Sequence, residues 1–265
     1  MTESTPIITL TTDFGHKGSF IGVMKGVILG KLPNARIVDL THEIHAHWPA
    51  EGGFWLSRSR QYFPPGTIHV AVVDPGVGTA RDILAVEFDK QIFLAPDNGI
   101  LPHIIGEQPA TPVYKLDEAC RKQLGIKTIS ATFHGRDVFA PLAAAIGNGD
   151  IKIEDIGPQA PEIVPSLVED PVMEGRRIRG TVVAVDSFGN LISNIDAEQL
   201  KDLPGLEVQC GGRSLKLQRT YGLSQPGELL ALVNSFNVVE IARAESSAAD
   251  YLGLGLGAPI TIICS

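Results

Sequence analysis

The feature that most constrains this fold is a change of texture partway along the chain. Up to residue 147 the sequence alternates β-branched runs with apolar residues at helical spacing; beyond residue 177 it breaks into short strands separated by turns. Residues 7–11, 35–40 and 67–73 read as strands. Between them, Ile21, Met24, Ile28 and Leu32 share one face of a helix over 20–32, with Ser19 placed to cap it. Residues 51–62 read as a helix entered through Pro49, since proline suits a first turn with no amide bond to lose. The run at 67–73 is almost wholly apolar, as a strand covered on both faces of a parallel sheet must be. Residues 83–88 and 91–95, parted by Asp89-Lys90, predict a hairpin, 128–132 a further strand, and 138–146 a small-residue helix stopping at Gly147. The Pro-, Glu- and Gly-rich stretch 153–176 reads as a crossing between domains. Short strands follow at 178–186, 191–195, 206–210, 214–217, 228–233, 238–242 and 259–264. The pattern predicts an α/β domain with a mainly parallel central sheet over residues 1–165, then a smaller all-β barrel over 166–265.

Composition narrows the functional classes. Twenty-two Lys and Arg against 30 Asp and Glu give a net charge of −8, which argues against non-specific nucleic-acid binding. No apolar run reaches the ~18 residues of a membrane span, and the first residues lack the pattern of a signal peptide. Cys120, Cys210 and Cys264 are widely spaced, which suits a reducing cytoplasm and gives no zinc spacing.

The polar clusters fall at the ends of predicted strands. The first strand runs into Thr11-Thr12-Asp13-Phe14-Gly15. An aspartate there can accept hydrogen bonds from a ribose diol, or it can cap a turn. The third runs into Asp74-Pro75-Gly76-Val77-Gly78-Thr79-Ala80-Arg81; a carboxylate at a buried strand end needs a partner, and Arg81 is the nearest cation in sequence. That pair alone suits a braced loop as well as catalysis. The run at 128–132 leads into Phe133-His134-Gly135-Arg136-Asp137. A carboxylate, a guanidinium and an imidazole at loop positions following strands can together bind and polarise a water. Pro96-Asp97-Asn98-Gly99 reads as a turn. Asp186-Ser187-Phe188-Gly189-Asn190 reads as a hairpin, or as a binder of an amine or a purine edge with Phe188 stacking. His42, His45 and His47 have no acidic or cysteine companion in a zinc pattern, and no Gly-x-Ser-x-Gly elbow occurs.

Taken together and in order, these five clusters resemble the S-adenosyl-L-methionine hydroxide adenosyltransferases, adenosine-forming hydrolases related to the fluorinase and chlorinase. The resemblance implies an N-terminal α/β domain, a C-terminal β-barrel, and a homotrimer with ligand held between one subunit's first domain and its neighbour's second. It carries a water-handling triad onto Asp74, Arg81 and His134. Asp13 takes the place of the residue that grips the ribose, Trp48 that of a wall at the ribose end, and Thr132 and Phe133 those lining the reacting carbon. In the second domain Asp186 would hold the methionine amine and Phe188 and Asn190 would address adenine, with Ser235 near the methionine and Ala248 at a backbone contact to adenine. Phe236 departs from the fluorinase-like pattern, standing where an arginine would meet the methionine carboxylate. His134-Gly135 replaces the halide-pocket Tyr-Ser pair, and the loop after the third strand is also changed; both favour water over halide.

The implied reaction is hydrolysis of S-adenosyl-L-methionine to adenosine and L-methionine, with no metal and no cofactor. Other readings of the same residues are a non-catalytic module binding S-adenosylmethionine or adenosine, a halide-using adenosyltransferase, and a hydrolase of another adenosyl compound. Sequence does not decide whether Asp74 or His134 takes the water's proton.

Overall fold

The computed structural model describes residues 5–106 and 111–264. The chain forms two compact units that divide between Leu167 and Val168.

The first unit is built on a six-stranded sheet. Its strands are β1 (Ile7–Thr12), β2 (Arg36–Thr41), β3 (Ile68–Val72), β4 (Ile83–Phe88), β5 (Gln91–Pro96) and β6 (Val113–Lys115), in the spatial order β2-β1-β3-β5-β4-β6. β2, β1, β3 and β5 run parallel, while β4 runs antiparallel to both β5 and β6. The β4–β5 hairpin turns through Asp89 and Lys90, both at positive φ, the conformation that matches the twist of paired strands. Helices α1 (Phe20–Lys31) and α5 (Ala140–Gly147) cover one face, where Ile8, Leu10, Val70 and Val72 meet Met24, Ile28 and Leu142. On the other face α2 (Pro49–Ser59) and α3 (Pro102–Ile105) bring Leu56 and Ile104 against Ala71, Val73 and Phe93. Burial on both faces is why β3 is apolar but for His69. Ser19 stands at the α1 N-cap without a side-chain capping bond. The short helix α4 (Glu118–Gln123) is capped by Asp117, which accepts from Cys120 N.

The strand expected over 128–132 does not form. Residues 126–132 are irregular, because side chains take the groups a ladder would need. Asp137 accepts from Ser130 N at 2.7 Å, and Ser130 Oγ accepts from Thr132 N at 3.2 Å. His134 therefore follows a loop, and a π-helical turn, Gly135–Phe139, carries the chain into α5. Turns of this kind are concentrated at functional sites.

The second unit is a barrel. β8 (Arg177–Val185), β9 (Leu191–Asp196), β13 (Val238–Arg243), β12 (Leu229–Val233), β11 (Arg213–Gln218), β10 (Glu207–Cys210) and β14 (Pro259–Ile263) pair in that order, and β14 closes the ring on β8. The pairs are antiparallel except β11–β12, which is parallel. β7 (Val172–Glu174), inside the stretch read as a crossing, adds to the outside of β8. Inward-facing Ile178, Val182, Leu191, Val239, Ile241 and Ile262 fill the interior. The helix α6 (Ala248–Leu252) is capped by Ser247, which accepts from Asp250 N at 3.0 Å.

Candidate active site

Strand order fixes where a site can form. The chain leaves β1 toward β2 on one side and returns as β3 on the other, so the carboxyl ends of β1 and β3 flank a topological switch, the usual place for a crevice in an open α/β sheet. Thr12 and Val72 are register partners, and Asp13 and Asp74 follow these two strand ends. A cavity of about 260 Å³ lies here, bounded by Asp13, Asp74, Val77, Thr132, Phe133 and His134. Its wall also includes Ala46 and His47 but not Trp48, which holds the N-cap position of α2. The Trp48 Nε1 is buried and has no hydrogen-bond partner among the described residues.

Asp74, Arg81 and His134 come together. Arg81 Nε donates to Asp74 Oδ1 at 2.9 Å, Nη2 donates to Oδ2, and Nη2 also lies 2.8 Å from His134 Nδ1. The Asp74 and Arg81 side chains are 4% and 9% exposed, so the fork-to-fork pair is shielded from solvent and strongly directional. A guanidinium can only donate, so His134 Nδ1 must accept, and the ring's proton sits on Nε2. Burial lowers the His134 pKa, and the Arg81 charge lowers it further; the imidazole is neutral at neutral pH.

The turn between Asp74 and Arg81 is held tightly. Val77 N donates to the Asp74 carbonyl at 3.2 Å, and Thr79 Oγ1 donates to the Gly76 carbonyl at 2.7 Å. Gly78, at φ +78°, approaches so close that a Cβ would stand 2.1 Å from the Ala131 carbonyl oxygen. That contact ties the arginine loop to the segment carrying His134. A second cavity, about 360 Å³, opens on the far side of Arg81 and His134 beside Arg121 and Ser130.

Asp13 Oδ2 accepts from His47 N at 3.1 Å. The loop bearing His47 is anchored by Glu51, a 2%-exposed residue of α2 whose Oε2 meets both the amide and Nδ1 of His45 at 2.8 Å. Phe14, Phe20 and Phe133 form a cluster with ring centroids 5.2–6.0 Å apart. Of the three loop histidines, His42 bonds Thr12 through Nδ1 and brings Nε2 to 3.0 Å from Asp39 Oδ1, and His45 bonds Glu51. No group of three or more His, Cys, Asp or Glu suited to a metal occurs among the described residues.

In the second unit Asp186 closes its own turn. Oδ1 accepts from the amides of Phe188 and Asn190, both at 2.9 Å, and Oδ2 accepts from Asn190 Nδ2 at 2.9 Å. Phe188 is 76% exposed. Ala249 N donates to the Gly189 carbonyl at 2.9 Å, which sets Ala248 beside this turn. Ser235 and Phe236 lie in a second turn, organised by Asn234, whose Oδ1 accepts from Phe236 N at 2.9 Å. Beneath it is buried Glu240, which accepts from Tyr221 Oη at 2.7 Å and Asn234 Nδ2 at 3.1 Å. Desolvation raises the Glu240 pKa, with nearby Asp186 adding to it; burial and Glu240 push that of Tyr221 up as well. Glu240 and Glu51 escaped the sequence reading. Their signal was a lone carboxylate on an otherwise apolar face, as in Val238-Val239-Glu240-Ile241.

The likeness to known proteins runs along nearly the whole chain. Residues 8–157 match the family described as SAM hydroxide adenosyltransferase N-terminal domain, and residues 180–261 the corresponding C-terminal domain. The chain is 36% identical over 262 residues to an (R)-S-adenosyl-L-methionine hydrolase of Salinispora arenicola, covering 96% of each protein. With a fluorinase of an Actinoplanes species it shares 24% over 298 residues, 97% of each chain. The crystal structure of an uncharacterized conserved protein from Thermotoga maritima superposes with a TM-score of 0.86 at 34% identity, over 97% of this chain and 100% of that one.

Proposed function

The chain belongs to the SAM hydroxide adenosyltransferase family, and we propose that it hydrolyses S-adenosyl-L-methionine to adenosine and L-methionine by attack of water or hydroxide at C5′. The observation that carries the reading is the Arg81 guanidinium joining Asp74 to His134 beside the cavity at the β1/β3 switch. Identity to a named hydrolase well above that to a fluorinase supports water as the nucleophile.

A sulfonium makes its attached carbon electrophilic and leaves as a neutral thioether, so catalysis reduces to aiming an oxygen along the C5′–S axis. Such positioning is worth up to ~7–11 kcal/mol. An O–C5′ bond forms, the C5′–S pair departs to sulfur, and one proton of the water must be taken up. Asp74 retains lone pairs beyond those engaged by Arg81, whereas the Nδ1 lone pair of His134 faces Arg81 and its Nε2 carries a hydrogen. This tautomer supports Asp74 as the proton acceptor, His134 as a donor that orients the water, and Arg81 as the cation that holds both. Asp13 suits the ribose hydroxyls, Thr132 and Phe133 the reacting carbon, and Trp48 the ribose end. In the barrel, Asp186, Phe188, Asn190, Ser235 and Ala248 suit the adenine and methionine portions. The family resemblance further supports a homotrimer acting in the cytoplasm; no described helix is long and apolar enough to cross a membrane.

The test is incubation with S-adenosyl-L-methionine in ¹⁸O-water containing chloride, with products identified by mass spectrometry. Adenosine labelled at its 5′ oxygen is expected. A 5′-chloro nucleoside, unlabelled adenosine, or ligand binding without turnover would each refute the reading.

A further inference from the structure

The Pro96-Asp97-Asn98-Gly99 turn reads from sequence as a plain connection, yet it bonds to the backbone on either side of the ion pair. The β3–β5 ladder pairs Ile68 with Ile92, His69 with Phe93 and Val70 with Leu94, and then stops. Beyond it, Asn98 Nδ2 reaches across and donates to the Val73 carbonyl at 2.8 Å, immediately before Asp74. The neighbouring Asp97 N donates to the Asp82 carbonyl at 3.0 Å, and that same oxygen lies 3.5 Å from Arg81 Nη1. One turn thus grips the residue before the carboxylate and the residue after the guanidinium.

The turn is itself fixed. Asp97 Oδ1 accepts from Val164 N at 2.8 Å. Gly99, at φ +95°, lies where a Cβ would stand 2.7 Å from the Pro165 carbonyl oxygen, so only glycine fits. Asn98 Oδ1 is buried without a hydrogen-bond partner among the described residues. A flipped amide would set that oxygen against the Val73 carbonyl, so the donor must face Val73.

We propose that Asn98 is a positioning residue for the hydrolysis: its amide clamps the Val73 carbonyl and thereby sets the Asp74 carboxylate at the level where Arg81 and the attacking water meet it. The proposal rests on the hydrolase reading above. Asn98 is not among the residues lining the 260 Å³ cavity, so it acts through Asp74 and not through substrate. A misplacement of about 1 Å at an in-line nucleophile can cost ~100-fold in rate.

The experiment compares wild type, Asn98→Ala and Asn98→Asp. For Asn98→Ala, kcat for adenosine release should fall about 10- to 100-fold, while KM and the calorimetric affinity for adenosine stay within about twofold. Asn98→Asp keeps the shape, so it carries the test if the alanine variant fails to fold. At pH 8 its ionised carboxylate opposes the Val73 carbonyl and the variant should be as slow as Asn98→Ala. Toward pH 5 the protonated acid can donate, and its rate relative to Asn98→Ala should climb. A kcat within twofold of wild type, an equal loss of adenosine affinity, or a rate ratio indifferent to pH would overturn the proposal. Absence of adenosine from the wild-type reaction would instead remove the hydrolase reading.

Discussion

Replacing Arg81 by alanine tests the site most directly. The substitution leaves Asp74, 4% exposed, with neither of its guanidinium bonds, and strips the donor from His134 Nδ1. Removing one partner of a buried pair costs ~3–5 kcal/mol, because the other charge stays desolvated and uncompensated. At about 2–4 °C per kcal/mol for a unit of this size, the melting temperature should fall by roughly 6–20 °C. If the same interactions hold the transition state, ~3–5 kcal/mol corresponds to a loss of about 10²- to 10⁴-fold in turnover. Calorimetric melting and chromatographic adenosine release at saturating substrate read the two effects separately. The double variant Asp74→Ala with Arg81→Ala removes both charges, so it should regain most of the lost stability and none of the activity. Adenosine release near the wild-type rate from folded Arg81→Ala, or a double variant no more stable than the single one, would refute the reasoning.

Two further outcomes follow from the first unit. His69 in β3 is fully buried, bonded through Nδ1 to Thr9 Oγ1 at 2.8 Å and stacked on Phe93, and burial pushes its imidazole down to about 4. The unfolded chain therefore takes up the proton first as pH falls. The stabilisation is complete above about 6.5 and drains away between there and about 4, to a total of ~3 kcal/mol at ~1.36 kcal/mol per pH unit. Pairing His69→Leu with Thr9→Val should flatten that part of the stability curve measured by denaturant titration; an unchanged acid slope would contradict the assignment. Gly78→Ala must drive a Cβ into the Ala131 carbonyl and hold a positive φ, at a cost of ~1–3 kcal/mol from backbone strain alone, with a fall in adenosine release. Gly76→Ala, whose Cβ would meet nothing nearer than Thr79 Oγ1 at 3.5 Å, is the control and should behave as wild type; equal damage from both variants would show that the Ala131 contact is not what matters.

How much of this was legible in the sequence depended on whether the signal was local. The strands β1, β3, β4 and β5 and the helices α1 and α2 were readable because each carries a local signal, apolar residues but for His69 in β3 and a spacing of three and four in α1. Residues 128–132 misled for the same reason. Their β-branched content reports suitability for a pleated surface, but Asp137, five residues beyond the run, takes the Ser130 amide. Asp74 and Arg81 could be paired from the sequence by charge and proximity. The contact of His134 with Arg81 spans 53 residues; position after a strand could group the two, and only the family resemblance named them as partners. Asn98 and Glu240 were hidden because their work is done on distant backbone or in another turn, which no spacing along the chain records.

The charges at the site have a further consequence for the proposed substrate. One guanidinium acts on two neighbours in different senses: it balances the charge of Asp74, and its field helps keep His134 neutral. With Asp13 on the same cavity wall, the formal sum at neutral pH is two carboxylates against one guanidinium, or −1. A sulfonium is thus drawn toward a site of opposite sign, within a chain of net charge −8 that steers cations at long range. Protonating His134 would cancel that local charge and leave Nδ1 unable to accept from Arg81. On the proposed reading, the arrangement that orients the water and the one that attracts the cation therefore fail together on the acid side. A hydrophobic pair of similar volume is often no less stable than a buried ion pair, but it would neither hold a water nor draw a sulfonium, and on the proposed reading that difference is the reason for charged groups at so buried a strand end.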